Sequence, residues 1–169
     1  MNILVLNGSP RLKGYTSKLV EKFTQGAQSV GHKVDILQVG TMKINSCIGC
    51  EYCYSHDSCA FKDDMQKVYN AFQQAEMIVF ASPVYYWGLT PFLQATISRI
   101  YAIDKPQKAQ KYAIILTSHS PSVYDAIVSQ YNSIVSFFGA KSVGVLTAYG
   151  SQREDKNKLE EAFDFGKNL

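Results

Sequence analysis

The stretch MNILVLNGSPRLKGYTS, residues 1–17, is the most informative part of the chain about its fold. Its apolar part, Asn2–Asn7, has the length and composition of a strand buried on both faces of a parallel sheet. Gly8 and Gly14 enclose a turn rich in hydroxyl groups. Apolar side chains then recur at helical spacing, at Leu19, Val20, Phe23, Ala27 and Val30. A strand, a glycine-bearing turn and a helix in this order predict a βα unit.

The same alternation continues along the chain. Further strands are predicted at Lys33–Gln38, Met77–Ser82, Tyr112–Ser118 and Ser142–Thr147. Right-handed crossovers between parallel strands then predict an α/β three-layer sandwich, with helices on both faces of the sheet. For five strands the usual order is 2-1-3-4-5, which places a ligand site at the carboxyl ends of the strands beside strand one.

Several helix starts are marked by side chains that can accept backbone N–H groups. Asp63-x-x-Gln66, Ser122-x-x-Asp125 and Ser151-x-x-Glu154 resemble capping boxes. Thr90-Pro91 offers a capping hydroxyl followed by a proline at the first helical position.

Length and composition limit the class of protein. The 169 residues are 46% hydrophobic and 18% charged, so we expect a single globular domain over 1–169. The net charge of +3 is too small to indicate a nucleic-acid or membrane partner. No apolar run approaches the roughly 18 residues of a membrane span, and the first residues do not resemble a signal peptide. We therefore expect a cytoplasmic protein whose thiols stay reduced.

The turn after the first strand has the chemistry of an anion site. A turn of this kind at a helix start offers backbone N–H groups and the positive end of the helix dipole. The pattern is neither a P-loop nor a dinucleotide fingerprint, because Gly-Lys-Ser/Thr and Gly-x-Gly-x-x-Gly are both absent. A phosphate monoester fits it better, while a plain strand–helix turn is the alternative. The candidate residues are Ser9, Arg11, Gly14, Thr16 and Ser17.

Three consecutive aromatic residues follow strand three, in the loop SPVYYWGLTP at residues 82–91. Tyr85, Tyr86 and Trp87 cannot all pack inward, so we expect some of them to face a planar ligand or a partner subunit. The alternative is that they cover the core. After strand four, His119 could hydrogen-bond the ring of a ligand or be a solvated loop residue.

All the cysteines lie in the long connection 40–62, as a C-x2-C-x2-C-x5-C array at Cys47, Cys50, Cys53 and Cys59. In a reducing compartment such clustering indicates a metal or redox site before it indicates disulfides. Three thiolates at this spacing can wrap one cubane cluster, and bacterial ferredoxins use a similar run. A four-cysteine zinc site and a metal-free thiol loop are the alternatives.

The motifs together resemble the NAD(P)H-dependent FMN reductase-like families of flavodoxin-like fold, and more narrowly the iron–sulfur flavoproteins. The resemblance is carried by Gly8-Ser9-Pro10-Arg11 with Gly14-x-Thr16, by the cysteine array with Lys62-Asp63-Asp64-Met65, and by Ser82-Pro83-Val84-Tyr85 through Arg99. One departure is the helix after the aromatic loop. The family often has Leu-Lys-x-x-x-Asp-Arg there, whereas this chain has Leu93-Gln94-Ala95-Thr96-Ile97-Ser98-Arg99.

The resemblance implies an FMN cofactor. It places the phosphate at Ser9, Arg11, Thr16 and Ser17, and the isoalloxazine beside Pro83, Val84, Tyr85, Tyr86, Trp87 and Gly88. A third contact is implied near Ser118 and His119. The four cysteines would hold a [4Fe-4S] cluster.

The implied function is an FMN-dependent oxidoreductase that passes electrons from NAD(P)H, or from a reduced electron-carrier donor, to a small acceptor such as a quinone or a flavin. No catalytic side chain is expected, because the flavin carries the chemistry. The alternative is an electron-transfer flavoprotein without a substrate of its own. The resemblance also implies a homodimer or homotetramer, with Phe92 and Tyr101 near the interface.

Overall fold

The computed structural model describes residues 1–103, 105 and 108–169. Its sheet consists of the parallel strands β1 (Asn2–Asn7), β2 (Lys33–Leu37), β3 (Met77–Pro83), β4 (Lys111–Ser118) and β5 (Lys141–Tyr149). The strand order is β2-β1-β3-β4-β5, which confirms the predicted order. Each predicted strand is present, and its ends differ from the prediction by no more than two residues.

The helices are α1 (Tyr15–Ser29), α2 (Cys53–His56), α3 (Met65–Gln74), α4 (Pro91–Arg99), α5 (Asp125–Phe137) and α6 (Lys156–Lys167). Short 3₁₀ helices lie at Val39–Thr41, Ile100–Ala102 and Gly150–Glu154. Within the described residues, no helix has both the length and the apolar composition that crossing a bilayer requires.

Two apolar layers cover the two faces of the sheet. Successive residues of β1 alternate between them: Ile3 belongs to the apolar layer that includes α1 and α6, while Leu4 belongs to the layer that includes α3, α4 and α5. Since both faces are covered, the strand reads as a continuous apolar run. The three-layer sandwich is therefore the predicted one.

The helix starts follow the sequence signals only in part. Thr90 caps α4 as predicted, because its Oγ1 accepts from the N–H of Leu93 at 3.3 Å. Ser122 does not cap α5, whose N-cap residue is Tyr124; Ser122 has a positive φ of 58°. Ser151 lies inside a 3₁₀ helix, so the prediction for α6 is also wrong.

The residue that caps α6 is Asp155. It has an extended backbone, and its carboxylate accepts from the N–H of Asn157 at 2.7 Å. An extended residue with a short carboxylate can reach the free N–H groups of the first turn. Ser151 cannot cap α6, because it lies in the 3₁₀ helix Gly150–Glu154 and α6 begins only after that helix ends.

Candidate functional site

The loop between β1 and α1, residues 8–14, is held by hydrogen bonds within the loop and by hydrogen bonds from the residues on either side of it. The buried Asn7 side chain accepts from the N–H of Ser9 at 3.0 Å and donates to the Ser17 hydroxyl at 3.1 Å. The Ser9 hydroxyl accepts from the N–H of Arg11 at 3.2 Å and donates to its carbonyl at 3.2 Å. The shape of the loop is therefore set by the protein alone.

The start of α1 is open to an anion. Its N-cap residue is Gly14, which has no side chain that could accept from the N–H groups of the first turn. A Cβ at Gly14 would lie 3.1 Å from both the Cβ and the carbonyl oxygen of Arg11, so glycine suits this close turn. The exposed Arg11 adds positive charge. A phosphate monoester fits this combination of free N–H groups, helix dipole and guanidinium.

Two predicted phosphate-binding hydroxyls have protein partners in this structure. Thr16 is buried, and its Oγ1 lies 2.7 Å from the Oγ1 of Thr117, which ties α1 to β4. The Ser17 hydroxyl donates to the Arg11 carbonyl at 3.1 Å. Both hydroxyls therefore shape the loop, and direct donation by them to a ligand stays a prediction.

The loops that follow β1, β3 and β4 meet at one edge of the sheet. The Gly8 N–H donates to the Ala81 carbonyl at 2.8 Å, and the Thr90 hydroxyl donates to the Gly8 carbonyl at 2.8 Å. The Val84 N–H donates to the Thr117 carbonyl at 2.7 Å. These bonds cross from strand to strand at the carboxyl edge, where the strand order predicted the ligand site.

Residues 85–88 form a tight turn, here called the aromatic hairpin. Tyr85 and Gly88 exchange backbone hydrogen bonds of 2.9 and 3.0 Å. Tyr86 and Trp87 have positive φ angles of 49° and 61°, a backbone region that favours glycine and asparagine. Their side chains are 94% and 56% exposed, so they do not cover the core. Strained backbone that holds aromatic rings in solvent is typical of a binding element.

The predicted third contact lies at the end of β4, next to β3. Ser118 is buried, its hydroxyl donates to the Ser120 carbonyl at 2.6 Å, and it lies 2.6 Å from the hydroxyl of Tyr124. His119 is exposed. Both positions belong to the carboxyl edge, and their contact with a ligand stays a prediction.

The cysteine segment, residues 40–62, brings its four thiols to one cavity of about 80 Å³. Cys47 and Cys50 are exposed, and Cys53 and Cys59 are half-buried; all four are free thiols. The opposite wall is formed by the end of α4 and the 3₁₀ helix that follows it, and includes Arg99. The four cysteines, which the sequence places in one long connection, therefore surround a single concave site.

A buried ion pair closes the cysteine segment. Arg99 Nη1 lies 2.5 Å from Asp63 Oδ2, and their side chains are 1% and 10% exposed. The same carboxylate accepts from the backbone and side-chain N–H groups of Asn45 and from the N–H of Met65. Burial disfavours the charged form, but hydrogen bonds from Arg99, Asn45 and Met65 outweigh it and lower the pKa of Asp63 to about 2. The N-cap residue of α3 is Asp64, so the capping role predicted for Asp63 is wrong, and Asp63 is mainly an ion-pair partner.

The donor set of the cavity suits a multi-atom group. In the part of the chain that the structure describes, no three His, Cys, Asp or Glu side chains are placed to share a single metal ion. Four thiolates are, however, the ligand set of common iron–sulfur clusters. A cluster joins sulfurs that stand further apart than those around one ion. The four thiols therefore fit a cluster in their chemistry and in their shared cavity.

Sequence reasoning missed several residues that build these sites. The sequence predicts no role for Asn7 or Thr117, although a polar residue near the end of a buried strand is a usable signal. Arg99 belonged to a motif, but no role in the cysteine site was predicted for it. Gly40 carried no local signal, yet a Cβ there would collide with the Ser9 carbonyl group. Its importance emerges only when the cysteine segment packs on the β1–α1 loop.

Comparison with known proteins gives a consistent result. The family described as NADPH-dependent FMN reductase matches residues 1–155. An iron–sulfur flavoprotein of Archaeoglobus fulgidus is 26% identical over 152 residues, which cover 89% of this chain and 69% of the relative. An iron–sulfur flavoprotein of Methanocaldococcus jannaschii is 24% identical over 186 residues, covering 100% and 95%. The solved NAD(P)H:quinone oxidoreductase from Methanothermobacter marburgensis matches with a TM-score of 0.76 at 17% identity, covering 100% of this chain and 96% of that one.

The sheet order and the ligand edge define a flavodoxin-like protein. The chain belongs to the NADPH-dependent FMN reductase family, whose match spans most of its length. This membership confirms the predicted class, an NAD(P)H-dependent flavin oxidoreductase, and it supports FMN as the cofactor.

Proposed function

We propose that FMN binds across the three loops of the carboxyl edge and that the enzyme passes electrons from NAD(P)H to a small acceptor. The observation that carries this proposal is the uncapped start of α1 on the same sheet edge as the exposed aromatic hairpin. The phosphate would lie against residues 8–17, with Arg11 as its charged contact. The ring would lie beside residues 83–88, with Ser118 and His119 as further contacts.

Bound FMN would supply the hydride and single-electron chemistry. The residues of the chain bind and orient it. Residues 8–14 present preformed backbone N–H groups, which lowers the ordering cost of binding. Tyr86 and Trp87 offer aromatic surface to a planar ring, and their exposure leaves room for a second planar molecule.

A quinone or a free flavin is the proposed acceptor class. Both are small and planar, which matches an open aromatic hairpin. The related fold from Methanothermobacter marburgensis bears the name NAD(P)H:quinone oxidoreductase, which agrees with this choice. A reduced electron-carrier protein is the alternative donor to NAD(P)H.

We also propose that Cys47, Cys50, Cys53 and Cys59 hold a [4Fe-4S] cluster. Their shared cavity supports this, as does the name of both sequence relatives. The cluster would supply one-electron exchange. The chain would contribute the four thiolates and a wall that includes Arg99.

The first test is anaerobic purification followed by an absorption spectrum, with flavin and iron content. We expect about one FMN per chain and iron with acid-labile sulfide. Oxidation of NADH and NADPH is then followed with a quinone, an azo dye or FMN as acceptor. Turnover supports the reductase; no turnover with reversible one-electron titration supports a carrier. A protein without flavin absorbance that does not quench FMN fluorescence contradicts the flavin site.

A variant pair tests the phosphate contact. Arg11→Gln removes an exposed positive charge from the β1–α1 loop, and we expect a roughly tenfold loss of FMN affinity. Lys33→Gln removes the same charge at the start of β2, on the opposite edge of the sheet. Affinity for FMN should be unchanged in this control. Equal affinities in both variants would argue against Arg11 as a phosphate contact.

The proposed assembly is a homodimer or homotetramer in the cytoplasm. Tyr86, Phe92 and Tyr101 are 94%, 40% and 62% exposed, and large exposed aromatic side chains favour an interface. Free clustered thiols favour a reducing compartment. Light scattering of the FMN-loaded protein tests the assembly, and a monomer at every concentration would contradict it.

A further inference from the structure

A buried arginine lies beside the cysteine cavity, in the last turn of α4. Arg99 is 1% exposed and lines the cavity together with the four thiols. Its Nη1 donates to the Asp63 carboxylate at 2.5 Å and to the Asn45 carbonyl at 3.2 Å, and its Nη2 donates to the Phe61 carbonyl at 3.4 Å. Asn45 and Phe61 flank the cysteines in the chain. The guanidinium therefore fastens both ends of the cysteine array to α4.

The Nε–H of this guanidinium is unused. Among the described residues, Arg99 Nε is buried and has no hydrogen-bond partner. A buried donor on a charged group is unfavourable when it lacks an acceptor, and such donors are rare in native proteins. An acceptor supplied by a bound group would remove the penalty.

Arg99 and Cys59 face the same cavity, since both residues line it. The backbone of Arg99 is also held in place, because the Tyr69 hydroxyl donates to the Arg99 carbonyl at 3.0 Å. The guanidinium therefore has a fixed position beside the four thiols.

We propose that Arg99 is a positioning residue for the loaded cysteine site, and that its Nε–H donates a hydrogen bond to a sulfur of that site. This inference rests on the four-thiolate cluster of the proposed function. Four thiolates bring negative charge to the cavity, and the exposed Glu51 on the same wall adds more. The guanidinium offsets part of this charge, while Asp63 holds it in place.

The consequence is a higher reduction potential. Reduction adds an electron to a group that is already negative, so a nearby positive charge and a hydrogen bond to sulfur favour the reduced form. Without Arg99 the same cluster would be harder to reduce. A change in the reduction potential therefore identifies this role of Arg99, because the loss of a purely structural contact would not shift the potential.

The test compares midpoint potentials of the iron–sulfur-loaded protein, measured anaerobically by redox titration with electron paramagnetic resonance. Arg99→Met combined with Asp63→Asn removes the guanidinium without leaving a buried charge unpaired. We expect its one-electron reduction constant to fall about tenfold, a shift of about 59 mV. Asp63→Asn alone keeps the guanidinium and removes the opposing charge, so its potential should rise.

Two further variants complete the experiment. Lys67→Met combined with Asp64→Asn removes an ion pair of 2.8 Å at the start of α3, whose side chains are 69% and 29% exposed, and should leave the potential unchanged. Arg99→Lys keeps the charge and the pairing with Asp63 but lacks Nε, so it should fold even where the double variant does not. We expect its reduction constant to fall about threefold.

The outcomes separate the two proposals. Equal potentials in the wild type, Arg99→Lys and the double variant, with the cluster intact, would overturn the role of Arg99 and leave the cluster standing. A wild-type chain that takes up no iron and sulfide would overturn both the cluster and the role of Arg99, while the FMN site is judged by its own test.

Discussion

The β1–α1 loop and the cysteine segment touch at Gly40, yet they are held in different ways. The loop follows a buried strand and is shaped by hydrogen bonds of Asn7, Ser9 and Ser17. The cysteine segment contains only the four-residue α2 as regular α-helix, and it relies on the pair between Asp63 and Arg99. The first region has its binding shape in advance. In the cysteine segment only the two ends are fixed, and its four thiols line a shared cavity.

This difference follows from the ligands that the two regions would hold. A phosphate is recognised by N–H groups, whose positions the backbone can set. A cluster forms covalent bonds to sulfur, so the metal group itself can complete the arrangement of the thiols. Three predictions test this comparison, and a fourth extends it to the aromatic hairpin.

The largest effect is expected at the ion pair. Arg99→Ala leaves the Asp63 carboxylate buried and unpaired, which should lower the free energy of unfolding by about 3–5 kcal/mol. Urea denaturation measures the loss. Lys67→Ala, which breaks an exposed pair, should cost less than about 1 kcal/mol. A cost for Arg99→Ala as small as that of the control would show that the ion pair does not hold the segment.

Acid should weaken the same pair. The pKa of Asp63 is lowered from 3.8 to about 2, so its contribution is complete above about pH 5 and is lost as the pH falls toward 2. The loss should reach about 2 kcal/mol, because a tenfold change in a protonation equilibrium corresponds to about 1.36 kcal/mol. The measurement is urea denaturation between pH 5 and pH 2, with Asp63→Asn as reference. A wild type and a reference with parallel pH profiles would contradict the assignment.

The contact between the two regions can be broken at Gly40. A Cβ there would press on the Ser9 backbone, so Gly40→Ala should lower the free energy of unfolding by about 1–3 kcal/mol and displace the β1–α1 loop. We expect FMN affinity to fall by at least about tenfold, by fluorescence quenching. The control is Gly49→Ala, in the same segment, where a Cβ would meet no atom within 4 Å but φ is 65°. Unchanged FMN affinity in Gly40→Ala would show that the contact at Gly40 does not influence the β1–α1 loop.

The smallest effect is expected at the aromatic hairpin, where substitution should raise the free energy of unfolding instead of lowering it. Replacing Tyr86 and Trp87 together with Asn and Gly supplies residues that accept positive φ, so stability should rise by about 0.5–1 kcal/mol. Turnover with a quinone should fall, because the aromatic surface is lost. Thermal denaturation and steady-state rates measure the two effects. A less stable variant would show that the rings contribute to the fold.

Much of the fold could be predicted because β1 and its turn carry local signals. A run buried on both faces needs apolar residues throughout, and Thr90-Pro91 marks a helix start by local hydrogen bonding. The signals at Ser122 and Ser151 were misleading, because a capping side chain acts only where the backbone places it. In the aromatic hairpin, the sequence indicated that the rings could not all pack inward, and their exposure agrees with this.

The candidate site was predictable to a smaller extent. The β1–α1 loop, as a candidate phosphate site, and the cysteine array could be predicted from adjacent residues. The roles of Thr117, Arg99 and Gly40 depend on partners about 31 to 101 positions away in the chain, at Thr16, Asp63 and Ser9. No periodicity or spacing expresses a contact of that kind, because it exists only after the sheet has assembled.

The amino-acid sequence of this protein was enough to specify the order of strands and helices, the glycine-bearing turn after β1 and the clustering of the cysteines in one segment. These depend on side-chain periodicity and on hydrogen bonds between near neighbours. Three features arose only on folding: the thiols share one cavity, Asp63 pairs with Arg99 rather than serving chiefly as a cap, and Gly40 joins the two regions. Burial is the reason, since the energy of an ion pair or of a close contact depends on what surrounds it.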